Sequence, residues 1–199
     1  MNWQSEDNQF VAAAKNGDQQ AFSELVKRHR RLIYSIAYKI TLCEEDSLDV
    51  TQDVYLKLVA KLHEYDGAGN FRAWLATITA RTAIDFLRKA HHKEESVEPI
   101  ILEELLEQNN KQSQNNPRDQ FDRTFQKEKI ELAMHHLSPQ QRAILTLRLR
   151  EEMEPKEIGE RMGIAGKQVR TQLHRAICKL KEVIQIKEST EGQNYNESQ

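Results

Sequence analysis

The sequence is poor in residues that break a chain into turns. It has seven glycines and four prolines in 199 residues, which disfavours a turn-rich all-β protein. It has two cysteines, Cys43 and Cys178, far apart and outside any Cys-x-x-Cys. That spacing argues against a zinc site or a structural disulfide and reads as two reduced thiols. No apolar run approaches the ~20 residues a membrane span needs. Met1 to Asn8 lack the basic and then apolar pattern of a secretory leader. The expectation is a soluble, cytoplasmic chain with no membrane insertion. Net charge is nearly absent too: 29 basic and 31 acidic residues give −2. Any nucleic-acid binding must therefore come from a local basic face. Finally, there is no glycine-rich phosphate loop or nucleophile motif. The adjacent pairs His91-His92 and His135-His136 diverge on a helix and suit no common metal site. No catalytic residue, metal or cofactor is expected.

What the sequence does have is helical periodicity. Asp18 is placed to cap a helix carrying Ala21, Phe22, Leu25, Val26, Leu32, Ile33, Ile36 and Ile40 at three- and four-residue spacing. Phe10, Val11 and Ala14 suggest a short helix before it, ending near Gly17. A third helix is predicted from about Asp46 to Leu62, with Leu48, Val54, Tyr55, Leu58 and Leu62 available for burial. The stretch from Asp66 to Asn70, with Gly67 and Gly69, is the clearest loop. Phe71 opens a fourth helix through Trp74, Leu75, Ile78, Ile84 and Leu87, fading by His92. At helical spacing beside Leu75 and Ile78, Phe71 and Trp74 read as core before they read as base-stacking groups.

Composition then shifts. Glu94, Glu95, Glu98, Glu103, Glu104 and Glu107 precede a Gln/Asn/Ser run, so residues 93–124 read as an unfolded acidic linker. Ile101, Leu102, Leu105 and Leu106 allow a short amphipathic turn within it. A second helical domain is predicted over 125–187, with a polar, unstructured tail over 188–199. In it, Ser138, Pro139 and Gln141 form a helix start, and the helix that follows uses Ile144, Leu145, Leu147 and Leu149. Pro155 to Lys181 reads as a helix-turn-helix. Gly159 stands at the helix crossing, Gly163 in the turn, and Ile158, Met162, Ile164, Val169 and Leu173 serve as anchors. No acid falls between Gly163 and Lys181. Lys167 lies among the bases of this stretch, and Arg170, Thr171, His174 and Arg175 form the face opposite Val169 and Leu173, which fits a major groove. On the third helix, Asp49, Gln52 and Asp53 share one polar face.

These motifs carry a resemblance. Asp49-Val-Thr-Gln-Asp-Val-Tyr-Leu-Lys-Leu, Phe71-Arg-Ala-Trp74-Leu-x-x-Ile78 and Ala83-Ile-Asp85-x-Leu-Arg88 resemble the region-two domain of the extracytoplasmic-function (ECF) sigma factors of the sigma-70 family. Leu137-Ser-Pro-x-x-Arg142, Glu157-Ile-Gly, Met162-Gly-Ile and Gln168-Val-Arg-Thr-x-Leu-His-Arg-Ala176 resemble their region-four domain. The resemblance implies an all-α fold of two small domains, residues 1–92 and 125–187. It implies core RNA polymerase and promoter DNA as partners, and an anti-sigma factor of the kind that holds many relatives inactive. It also implies that Asp49, Gln52 and Asp53 dock on polymerase, and that Lys167, Arg170, Thr171, His174 and Arg175 contact the minus-thirty-five element. Asp66, Asn70, Arg72, Arg81, Arg88 and Lys89 are implied to serve the minus-ten element. The acidic linker is left with two readings: a plain tether, or an occupant of the polymerase's positively charged channel. The chain departs from the family pattern at Gly159 (usually Ala), Ala165 (Ser), Gln168 (Thr), Gln172 (Arg) and Ala80-Arg81 (Arg-Asn). A free-standing helix-turn-helix regulator would leave Asp49, Gln52, Asp53 and the glycine loop without a purpose. A helical enzyme would lack its motifs.

Overall fold

The structure, a computed structural model, describes residues 3–67, 70–94 and 130–196. Among these there is no strand, and the fold is all-α, as expected. The first unit holds α1 (Trp3–Lys15), α2 (Gln19–Thr41), α3 (Glu44–Lys61), a 3-10 turn (Leu62–Glu64) and α4 (Phe71–Glu94). The second holds α5 (130–135), α6 (Pro139–Arg150), α7 (Pro155–Met162) and α8 (Gly166–Asn196). No described helix is long and apolar enough to cross a membrane. The linker from residue 95 onward, with residues 125–129, lies outside the described residues.

α2 starts where the sequence places it. The Asp18 carboxylate accepts from the backbone N–H groups of Gln20 and Ala21, at 2.8 and 3.1 Å, donors that a helix start leaves orphaned. Its inner stripe, Leu25, Leu32, Ile33, Ile36, Ala37 and Ile40, is buried, each large aliphatic chain contributing about 1.5–3 kcal/mol. The helix ends at Leu42, held left-handed at φ 61°, a conformation that costs a branched residue about 1–2 kcal/mol. Packing of the Leu42 side chain against the core offsets that strain.

The second unit bears out its capping signal. Ser138 Oγ accepts from Gln141 N, and Gln141 Oε1 accepts from Ser138 N. α7 opens on Pro155 and closes at Gly163, φ 70°. Gly159 is needed where α7 meets the turn into α8. A Cβ there would sit 2.6 Å from the Ile164 carbonyl oxygen and 3.0 Å from Gly166 N.

Three expectations are corrected. Leu48 and Leu149, expected in the core, are exposed at 48% and 71%. Leu149 follows buried Leu147 by two residues, which places it ~200° around the helix. Leu48 sits one residue from Ser47 and two from Val50, both fully buried, and so turns outward. The tail expected from Glu188 is helical as far as Asn196. No proline interrupts it, and Gly192 alone weakens it by about 1 kcal/mol.

The two units are not separate bodies. α2 and α4 pack against α6, and α4 against α7, so one apolar core runs from Leu25 through Phe71 to Ile144 and Ile158. Arg142, 8% exposed, crosses the junction. Its Nε donates to Ile40 O at 2.6 Å and its Nη1 to Leu137 O at 3.0 Å. Ile40 lies in the last turn of α2, where carbonyls lack helix partners and the dipole is negative. A cation from the second unit thus caps a helix of the first.

Candidate nucleic-acid interface

The outward face of α8 is exposed as the spacing predicted. On α8, Val169, Leu173 and Ala176 are buried, whereas Lys167, Arg170, Thr171, His174 and Arg175 are exposed. The Thr171 hydroxyl donates to Lys167 O at 3.0 Å, and His174 Nε2 lies 3.7 Å from Cys178 Sγ. Lys167, Arg170 and Arg175 enter no ion pair among the described residues, although the unit carries Glu157 and Glu160 on α7 and Glu151, Glu152 and Glu154 in the turn before it. Arg148, by contrast, pairs with Glu154 and Arg161 with Glu157, each at 2.9 Å. Gly159 brings α7 against the start of α8 and so sets the angle at which this face projects.

The residues expected at the minus-ten element fall into separate groups. Asn70 and Arg72 stand at the start of α4, with Asp66 on the other side of the loop. Asn70 has a local task there, its Oδ1 accepting from Arg72 N at 3.0 Å as a cap of α4. Gly67 takes φ 76° in the loop; residues 68 and 69 lie outside the described residues. Arg88 sits 16 residues from Arg72, ~24 Å along the helix at 1.5 Å per residue. It pairs with Asp85 at 2.8 Å. Lys89 lines a cleft between α3 and α4 with Leu56, Asp85 and Asp53 of the expected docking face. Phe71 is 1% exposed and therefore core, as its spacing implied, and Trp74 is half-buried.

Two of these cations face the second unit. Arg72 Nε and Nη2 donate to Glu151 Oε2 and Oε1, at 2.7 and 3.0 Å. The Glu151 side chain is only 3% exposed. The Arg81 guanidinium lies beside the turn at Gly163, 3.7 Å from where a Cβ would stand.

On α3, Asp49, Gln52 and Asp53 are all exposed. The sequence reading missed their neighbours. Leu56 and Val59 are 70% and 66% exposed, and with Leu48 they form an apolar stripe along the same side. The signal was available, since Leu56 lies four residues from Gln52 and three from Asp53. Arg142 was missed in a different sense. It stood in a quoted motif, but nothing in a sequence says that its guanidinium is buried. Burial lowers its pKa from the ordinary arginine value, and hydrogen bonds to carbonyls replace a counterion.

Comparison with known proteins agrees with this geometry. Residues 25–93 match the model of sigma-70 region 2 and residues 127–180 that of sigma-70 region 4, together more than half of the chain. The ECF RNA polymerase sigma factor SigE of Mycolicibacterium smegmatis is 27% identical over 173 residues, covering 84% of this chain and 64% of that protein. RNA polymerase sigma factor YlaC of Bacillus subtilis is 28% identical over 164 residues, covering 81% of this chain and 90% of that protein. Solved structures share the fold, among them RpoE of Bartonella quintana in complex with the anti-sigma factor NepR. Its TM-score is 0.64 at 19% identity, covering 83% of this chain and 97% of that one. Another is CnrH in complex with the cytosolic domain of CnrY. Its TM-score is 0.62 at 22% identity, covering 91% and 98%.

A region-two helical unit followed by a region-four helix-turn-helix defines a transcription-initiation factor, which selects promoters and catalyses nothing itself. The chain belongs to the ECF sigma factors of the sigma-70 family.

Proposed function

We propose that the work of this sigma factor divides among three surfaces. α8 reads the minus-thirty-five element through Lys167, Arg170, Thr171, His174 and Arg175. The 66–70 loop and the start of α4 hold the melted minus-ten strand, with Asp66, Asn70, Arg72 and Arg81 nearest and Arg88 and Lys89 further along the helix. Asp49, Gln52 and Asp53 dock on core polymerase, with Leu48, Leu56 and Val59 as the apolar part of that contact. The observation that carries the reading is the α8 face, where cations stand exposed and unpaired on one side of a helix whose other side is core. Exposed arginines without a carboxylate partner are free to fork onto guanine edges or grip phosphates.

The domain division of 1–92 and 125–187 belongs to this reading, as does action in the cytoplasm, where promoters and polymerase are. An anti-sigma partner belongs to it as well, by analogy with Bartonella RpoE, solved with NepR. The regulon is read as one that answers a stress or an external signal.

The test is a titration of holoenzyme on duplex promoter. Arg170→Ala and Arg175→Ala are each expected to lose about 1–3 kcal/mol of upstream-element binding if they read bases, with the salt slope reduced by ~1 for each phosphate contact removed. Normal binding by both variants would remove α8 as the reading face. Gln52→Ala with Asp53→Ala is expected to weaken core polymerase binding while helix content by circular dichroism stays unchanged.

A further inference from the structure

The second unit does not meet the candidate surfaces alike. The α8 face around Arg170 and Arg175 is exposed, and so is the α3 face around Gln52 and Asp53. On α4 the second unit comes close. Arg72 Nε and Nη2 donate to the two carboxylate oxygens of Glu151, at 2.7 and 3.0 Å. The Arg81 guanidinium lies beside the turn at Gly163.

Glu151 is presented by a built turn. It stands where α6 ends, and its N–H still donates to Leu147 O at 3.3 Å. Glu152, the next residue, takes φ 54°, a left-handed backbone that side chains disfavour. Arg148 Nη1 donates to the carbonyls of Glu152 and Met153, at 3.4 and 3.2 Å. Met153 is itself only 2% exposed. A strained residue persists where its surroundings over-determine it. Here they fix the direction of the Glu151 side chain, which is 3% exposed. A carboxylate held out of water needs a cation. Arg150 comes no nearer than 4.0 Å, so the two-bond fork is supplied by Arg72.

A carboxylate and a phosphate offer a guanidinium the same pair of oxygens. Arg72 cannot fork onto both at once. Distance adds a second constraint. B-DNA rises about 3.4 Å per base pair, so elements roughly 25 positions apart lie ~85 Å from each other. Two units that share one core cannot span that length. They must part before both promoter elements are held.

We propose that Glu151 stands in for a strand phosphate on Arg72, so that the closed chain reads the upstream duplex and docks on polymerase but binds the minus-ten strand only once α6 has left α4. The proposal rests on the reading of Arg72 as a minus-ten cation. The mask covers one surface of three and sets an order: duplex and polymerase first, strand last. Arg88 and Lys89, further along α4, are exposed and lie outside it.

The experiment compares free full-length chain with holoenzyme on two probes from a promoter mapped after overexpression. One is the single non-template strand spanning the minus-ten element, the other the upstream duplex. Free Glu151→Gln is expected to bind the single strand at least about fivefold more tightly than the free parent chain, because masking lowers apparent affinity by the fraction of chains masked. Its upstream-duplex affinity should stay within twofold, which also shows that the variant folds. In holoenzyme, where the units are already apart, variant and parent should bind the single strand within twofold of each other. Glu160→Gln, at an exposed position on α7, makes the same change of charge away from Arg72 and should leave strand binding by the free chain unchanged. Single-strand affinity of free Glu151→Gln within twofold of the parent overturns the proposal, as does equal tightening by Glu160→Gln. So does an upstream-duplex affinity that rises together with the strand affinity, since the mask would then cover α8 too. Arg72→Ala in holoenzyme separates the two readings. If it weakens strand binding while free Glu151→Gln gains none, Arg72 serves the strand and Glu151 does not mask it. If it changes nothing, Arg72 is not a strand cation and both readings fall.

Discussion

Arg142 and His29 are charged or titratable groups held inside the core, 8% and 7% exposed. Arg142 satisfies two carbonyls, one from each unit, without a carboxylate nearby. Arg142→Met keeps most of the apolar stem and removes both donors. Leaving a buried acceptor unpaired costs about 1–3 kcal/mol, so the unfolding free energy should fall by about that amount, read as a lower urea midpoint with little change in slope. His29 sets a pH dependence. Burial lowers its pKa, and the Asp7 carboxylate opposes that only in part. An unfolded histidine takes up its proton near pH ~6.5, and the folded one only at lower pH. The unfolded state therefore binds more protons between the two values, and stability falls as pH drops through that window. His135, also shifted down by desolvation, adds in the same direction. Denaturation midpoints are expected to decline from pH 7.5 to pH 5. His29→Gln should flatten the decline, and His135→Gln should flatten it less.

At the scale of the element, the two glycines of the helix-turn-helix separate crowding from backbone strain. At Gly159 a methyl group would meet backbone, the Ile164 carbonyl oxygen at 2.6 Å. Overpacking of that kind costs about 1–3 kcal/mol, against a helix-propensity gain of up to about 1 kcal/mol for alanine. The crowding should win, because a carbonyl in a tight turn cannot swing aside as a side-chain tip can. Gly159→Ala is thus expected to lower thermal stability and to weaken upstream-element binding, since the α7–α8 angle must open. At Gly163 a Cβ has room and the obstacle is φ 70°, so Gly163→Ala should cost about 1–2 kcal/mol with a smaller effect on DNA binding. Equal losses of DNA affinity in the two variants would show that the crossing angle is not what Gly159 protects.

For the whole molecule, the contact between units has a consequence for its surfaces. Arg72, which we propose serves the minus-ten strand, is engaged by Glu151 of the second unit, and Lys39 reaches Glu131 across the same junction at 3.4 Å. While these pairs hold, Arg72 is not available to a DNA strand. Glu151→Gln removes the buried carboxylate and should loosen the junction. The expected result is a longer fluorescence-transfer distance between dyes at exposed positions on α3 and α8, with the shift shrinking as salt screens the parent pair. An unchanged distance would mean that the apolar contacts of α2 and α4 with α6 hold the units together alone.

The sequence by itself determined where the helices start and which residues share the outward faces of α3 and α8. Local signals act within a few residues and need no knowledge of the rest of the chain. They placed the Asp18 and Ser138 caps, the apolar stripe of α2, the turn at Gly163 and the outward face from Lys167 to Arg175. Leu48 and Leu149 escaped because periodicity says which residues share a face, but not how wide a stripe the neighbouring helices cover. The tail beyond Glu188 escaped because polar composition does not by itself end a helix. Only the tertiary structure decided that Arg142 caps α2, that Glu151 holds Arg72, and that Asn8 and Lys15 of α1 hold Tyr65. Each of those contacts joins residues at least 50 positions apart in sequence or elements packed at one junction, and a donor's partner at such range is fixed by packing rather than by local pattern.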